Sequence, residues 1–214
     1  MPQDRIAAIL GPRLPGKACG LILDEIVARY DDILDRLGLD TFAYTVTIPD
    51  AGFLAIEDAV RRLGFDSAAV HGPGGSQPSG GISLYQVGTG LVTLDWTNPS
   101  DDRKQVTDRL AGEGFRHWYL SFDIEGNTSL YARYGKAEGY LDHPEPVDIP
   151  FTDWRDCLGP LSRYTELLVS GYDNEEEAQV DITAACLALI EAESGVRLNE
   201  ELMDSHKSVL AISH

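Results

Sequence analysis

Apolar and polar positions alternate most cleanly at residues 116–124. There Trp118, Leu120, Phe122 and Ile124 point one way and His117, Tyr119, Ser121 and Asp123 the other. A period of two predicts a strand. Glu125-Gly126-Asn127 turns the chain, and 129–134 runs back with Leu130, Ala132 and Tyr134 on one face. Two further runs rich in β-branched and aromatic residues, 82–88 and 91–97, flank a Gly-Thr-Gly turn. A β-type run at 41–48 ends in Pro49-Asp50-Ala51-Gly52, and short strands are expected at 68–71 and, as a sheet edge, at 140–143.

Helical spacing appears on both sides of this block. Ile22, Ile26, Tyr30, Ile33, Leu34 and Leu37 form one apolar stripe, with Gly38 as its stop. The opposite face carries Asp24, Asp31, Asp32 and Asp35, softened by Arg29 and Arg36. Residues 54–63 repeat the pattern with Ile56, Ala59, Val60 and Leu63 inward. A helix at 101–111 starts with acids that suit the helix dipole. Residues 175–193 carry a stripe of Val180, Ile182, Cys186, Leu187 and Ile190, and Asn199 caps a final short helix. The proline-rich connection after Pro144 is expected to be pinned to the core by Phe151, Trp154 and Leu158.

These elements predict an irregular N-terminal arm over 1–20 and a single α+β domain over 21–214. The domain is a mainly antiparallel sheet of five to seven strands packed on one face by helices. Hairpin-length connections favour antiparallel pairing, and the helix at 101–111 makes one crossover.

Charge changes the picture more than composition does. The chain of 214 residues carries 17 Lys+Arg against 35 Asp+Glu, a formal −18. Such a surface repels nucleic acid and anionic lipid and attracts a basic partner. Half of the excess lies between Asp173 and Asp204, where ten acids face one base, Arg197. Acids at a helix start are favourable for the dipole, but this many exceed that need. No apolar run approaches the length of a membrane span, and the patch at 6–10 is too short for a signal-peptide core, so a cytoplasmic protein is expected. Three cysteines, far apart, make neither a disulfide framework nor a zinc pattern.

Motifs of catalysis are missing. The Gly-rich loop at 71–81 lacks the Lys-Ser/Thr of a phosphate cradle and the GxGxxG spacing. There is no GxSxG and no HExxH. His117 and Ser121 share a strand face, but four residues of strand separate them by about 13 Å, too far for a nucleophile and its base. Asp95, Asp123 and Glu125 have no spacing that forces convergence on a metal. Neither a metal nor a cofactor is expected, and no residue is assigned as catalytic.

The segments IEDAVRRLGFD (56–66), LVTLDWTNP (91–99) and ALIEAESGVRLNEELMD (188–204), in this order, resemble an actinobacterial family of small proteins of unknown function. The likeness covers most of 43–204 and implies structural roles for those positions. It brings no activity with it.

The leading expectation is a non-enzymatic acidic protein that masks a basic protein partner, as immunity proteins of toxin pairs do. Asp31, Asp35, Glu175, Glu176, Glu177 and Asp181 are its expected docking residues. Two alternatives stand beside it. One is a small-molecule enzyme or sensor with a pocket between sheet and helices using His117, Tyr119 and Asp123. The other is a DNA mimic built from ordered carboxylates.

Overall fold

The computed structural model describes residues 16–37, 41–66, 70–71, 81–96, 101–123, 127–141, 154–172, 181–204 and 208–211. Its centre is β1 (Phe42–Pro49), which pairs antiparallel with β4 (Gly90–Asp95) on one side and β5 (Phe115–Phe122) on the other. Outward from β4 lie β3 (Gly81–Val87), β8 (Ser208–Ala211) and the two-residue β2 (Val70–His71). Outward from β5 lie β6 (Thr128–Tyr134) and β7 (Ala137–Tyr140). The eight strands are all paired antiparallel, in the order β2-β8-β3-β4-β1-β5-β6-β7. This is the α+β fold with an antiparallel sheet that the alternation predicts.

Helices pack on both faces of the sheet. The first face takes α1 (Gly16–Leu37), α4 (Thr165–Tyr172), α5 (Ile182–Ser194) and the 3-10 segment Gly159–Tyr164, over Phe42, Tyr44, Val46, Val92, Trp118, Leu120 and Leu130. The second takes α2 (Ile56–Leu63), α3 (Asp101–Asp108) and the turn that follows it; Ala59, Val60 and Leu63 of α2 and Leu110 of that turn cover Ile82, Leu84 and Leu91. The cause is topological. Strand β1 separates β4 from β5, so the connection through α3 must cross over it; likewise β4, β3 and β8 separate β1 from β2, and α2 makes that crossing. One crossover was legible in the turn lengths; the second layer follows from there being two.

Helix α1 starts at Gly16, directly after Pro15, so the last five residues of the expected N-terminal arm are helical; residues 1–15 lie outside the described residues. Its Val27, Tyr30 and Ile33 are buried while Asp24, Glu25, Asp31, Asp32 and Asp35 are exposed. Helix α5 starts at Ile182, later than the acidic run suggested, because Asp181 is its N-cap: the carboxylate accepts from the Ala184 amide at 2.9 Å. Residues 183–190 of α5 are buried all round, since α1 and α4 enclose the sides that the sheet does not. A final helix, α6 (Glu200–Asp204), is capped by Asn199, whose side chain accepts from the Leu202 amide. The edge strand is β7, three residues earlier than the expected 140–143. It is shielded by Leu158 and Gly159. No helix among the described residues is long and apolar enough to cross a membrane.

Candidate functional site

Two places in this fold gather more polar chemistry than stability asks for, one on each side of the sheet.

The first is the outer face of α1. The helix has two arginines in its described side chains, and both are turned to the C-terminal third: Arg29 donates to Glu191 Oε2 at 2.6 Å, and Arg36 pairs with Glu200 at 3.3 Å. Asp24, Glu25, Asp31, Asp32 and Asp35 are left on the exposed face, and none forms an ion pair with a described residue. Asp181 arrives from the start of α5, a separate element. The Asp31 carboxyl is held above its ordinary range by partial desolvation and then by repulsion from Asp181, Asp35 and Asp32. Three of the six expected docking residues, Asp31, Asp35 and Asp181, therefore converge. Glu175, Glu176 and Glu177 lie outside the described residues.

Other acids of the final third are structural. Glu191 accepts from Arg29 and from the Tyr30 hydroxyl at 2.6 Å, and pairs with Arg197 at 3.3 Å. Tyr30 in turn accepts from the Leu198 amide at 3.2 Å, tying α1 to the chain after α5. Burial first, then Glu191, pushes the Tyr30 hydroxyl far above its ordinary range. Glu193 is engaged by Arg163, by the Tyr164 hydroxyl and by the Tyr134 hydroxyl, which also accepts from Trp118 Nε1. These carboxylates stitch α5 to its neighbours and cannot also greet a partner.

The second place is the sheet face beneath α3. His117 is 0% exposed and shares a hydrogen bond of 2.8 Å between its Nδ1 and Thr47 Oγ1. Its Nε2 has no partner, and neither does Oγ1 of Thr45, which is 1% exposed. Each buried unpaired polar group costs about 1–3 kcal/mol. Desolvation, with Lys104 and Arg133 adding to it, lowers the His117 pKa to about 3. Tyr119 and Tyr131 are a buried cross-strand pair next to it. Lys104 of α3 sets its ammonium 3.9 Å from the Tyr131 ring centre and 5.5 Å from that of Tyr140. Arg133 approaches Asp108 of α3 at 4.0 Å and Glu138 at 3.6 Å.

Of the expected pocket residues, His117 and Tyr119 are brought together on this face. Asp123 is not. Its carboxylate accepts from the Asn127 amide at 3.1 Å and from Asn127 Nδ2, closing the β5–β6 turn about 20 Å along the strand from His117. Thr45, Lys104 and Arg133 are members of the cluster that single-strand reasoning missed. A cross-strand alignment of Thr45-Thr47 with His117-Tyr119 was the signal that could have found Thr45. No cluster of three or more metal-ligating side chains occurs among the described residues, and the Gly-rich segment 72–80 lies outside them.

No family model matches the chain, and no curated protein and no solved structure matches it. The site must be read from its own chemistry.

Proposed function

We propose that this is a non-enzymatic binding protein that masks the basic surface of a protein partner, in the manner of immunity proteins. The supporting observation is the gathering of Asp31, Asp35, Asp32 and Asp181 from two helices, at a cost to Asp31, while both described arginines of α1 pair with glutamates of the C-terminal third, Arg29 with the mostly buried Glu191 and Arg36 with the exposed Glu200. Carboxylates that repel one another in the free protein gain when a cationic surface neutralises them. The pairing of Glu191, Glu193 and Glu200 narrows the docking surface to the outer face of α1 and the start of α5.

The test is association kinetics with a basic protein retained from the protein's own cells at low salt. The expected association rate falls steeply with ionic strength, and the Asp31→Asn/Asp35→Asn/Asp181→Asn variant associates about tenfold more slowly, with dissociation less affected. Asn keeps the α5 cap, so folding is not the variable. Retention of no basic protein, or an association rate indifferent to both salt and the substitutions, overturns the reading.

A further inference from the structure

Tyr119, Tyr131 and Tyr140 stand in register on β5, β6 and β7, so three phenol rings form a row across neighbouring strands. Tyr131 and Tyr140 have ring centroids 4.9 Å apart and planes inclined at 40°. Lys104 of α3 lays its ammonium over both, 3.9 Å from the first centre and 5.5 Å from the second. Both distances are within reach of a cation–π contact. The Lys104 side chain forms no ion pair and no hydrogen bond with a described residue, whereas Lys136 pairs with Glu113 at 2.8 Å. In a chain of net charge −18, a lysine that meets ring faces and no carboxylate is an exception.

The rings do not depend on this lysine for their orientation. Tyr131 donates to the Asp108 carboxylate and Tyr140 to Glu138 Oε2 at 3.1 Å. Arg133 stands between the two acids, 4.0 Å from Asp108 and 3.6 Å from Glu138. Helix α3 stays in place, held by the Asp108–Tyr131 bond and by Val106 against the α2 cluster. The turn after it adds Leu110, buried in the same cluster, and Arg109, which donates to the Leu63 carbonyl at 3.0 Å. Only the Lys104 side chain has to leave. It is partly exposed, as is Tyr140, and its ammonium is fully hydrated once it turns to water.

We propose that the Tyr131–Tyr140 cage binds a small molecule with a quaternary ammonium head, and that Lys104 occupies the cage until that molecule displaces it. Ring faces attract the charge and require no N–H. The two acids are already engaged by phenol hydroxyls and by Arg133, so the three donors of a primary ammonium find no acceptor there among the described residues. A head without N–H forfeits nothing in that setting. The long-range field favours it too, because a net charge of −18 draws cations and repels anions. This site lies across the sheet from α1, so its failure and that of the acidic docking face are separate results.

The test uses the full chain with 13C-labelled tyrosine and three probes added singly: choline, tetramethylammonium and neohexyl alcohol, the uncharged carbon isostere of choline. Both cations are expected to shift the Tyr131 and Tyr140 ring resonances saturably, and the alcohol to bind about tenfold more weakly than choline. Lys104→Ala, which empties the cage, is expected to bind choline about tenfold more tightly than the parent, since no occupant has to be displaced. Tyr140→Leu, which keeps an apolar wall but removes a ring face, is expected to weaken choline binding about tenfold. Absence of a saturable shift from both the parent and Lys104→Ala overturns the proposal. So does equal affinity for choline and the alcohol, or choline affinity unchanged by either substitution. Should the variants fail to fold, the comparison of choline with the alcohol on the unaltered chain decides by itself.

Discussion

His117 carries the sharpest consequence of a single side chain's surroundings. Its pKa is lowered to about 3 in the folded protein, against about 6.5 in an unfolded chain. Between those values the unfolded state holds a proton that the native state does not, so stability is lost as pH falls from 6.5 toward 3, by up to about 1.4 kcal/mol per pH unit. The expected outcome for His117→Gln is a lower stability at pH 7 but a shallower decline between pH 6 and 4. Urea unfolding at a series of pH values measures both. A slope identical to that of the parent would mean that the imidazole is not sealed in neutral form. This residue also shows where reading a sequence stops. Its place on a strand, and its neighbours two positions away, were legible from alternation. Its burial was not, because the face it shares with Tyr119, Ser121 and Asp123 reads as the polar side of a strand, and only the crossing of α3 takes that side out of water.

Among the elements, the sheet edge at β7 is closed by a contact between backbones. A Cβ built on Gly139 would stand 2.0 Å from the Leu158 carbonyl oxygen, and one on Gly159 would stand 2.0 Å from that of Glu138. Glycine at both places lets the segment before α4 lie directly on the edge, where exposed strand hydrogen-bonding groups would otherwise invite pairing. Gly139→Ala is therefore expected to cost about 2–3 kcal/mol, the upper range for forced overpacking. Gly112→Ala, whose new methyl would meet nothing nearer than 3.9 Å, is expected to lie within about 0.5 kcal/mol of the parent. Thermal unfolding of the two variants side by side checks the contrast. The same edge explains a misplaced strand: Gly139 weakens the local signal for β7, and Tyr140 to His143 looked more strand-like than Ala137 to Tyr140. Strand β8 went unread for a related reason, since four residues near the chain's polar end carry too little period to register. The long periodic elements, α1, α2, β1, β5 and β6, were all legible. Helix α5 was legible as a helix but not in its start, because Glu175 to Glu177 imitate an acidic first turn while the true cap is Asp181.

For the molecule as a whole, the question is whether its −18 is spread or sorted. It is sorted. Glu191 and Glu193, with side chains 12% and 6% exposed, face arginines and tyrosines inside the helical layer, whereas Asp31, Asp32, Asp35 and Asp181 face one another outside it. The proximity of Asp31 to Asp181 could not be read from residues so far apart in the chain; only the packing of α1 against α5 creates it. Sorting has a measurable signature. Salt screens exposed charges over about 10 Å at 0.1 M and reaches buried pairs much less, so added salt relieves the outer repulsion more than it weakens the inner pairs. The melting temperature is therefore expected to rise with NaCl. Asp31→Asn should melt higher than the parent at low salt, by 1–2 °C, from about 0.2–0.5 kcal/mol per like-charge pair removed. The gain should shrink as salt is added. It should also depend on pH in one direction: the raised pKa of Asp31 means that its ionised form costs stability above that pKa, and the cost is relieved as pH falls and the carboxyl takes up its proton. The advantage of Asn is thus full at pH 7 and gone below about pH 3.9, the unfolded value. A melting temperature that falls with salt, or an Asp31→Asn variant no more stable than its parent at low ionic strength, would mean that these carboxylates do not strain the free protein. A basic partner would then have no strain to relieve.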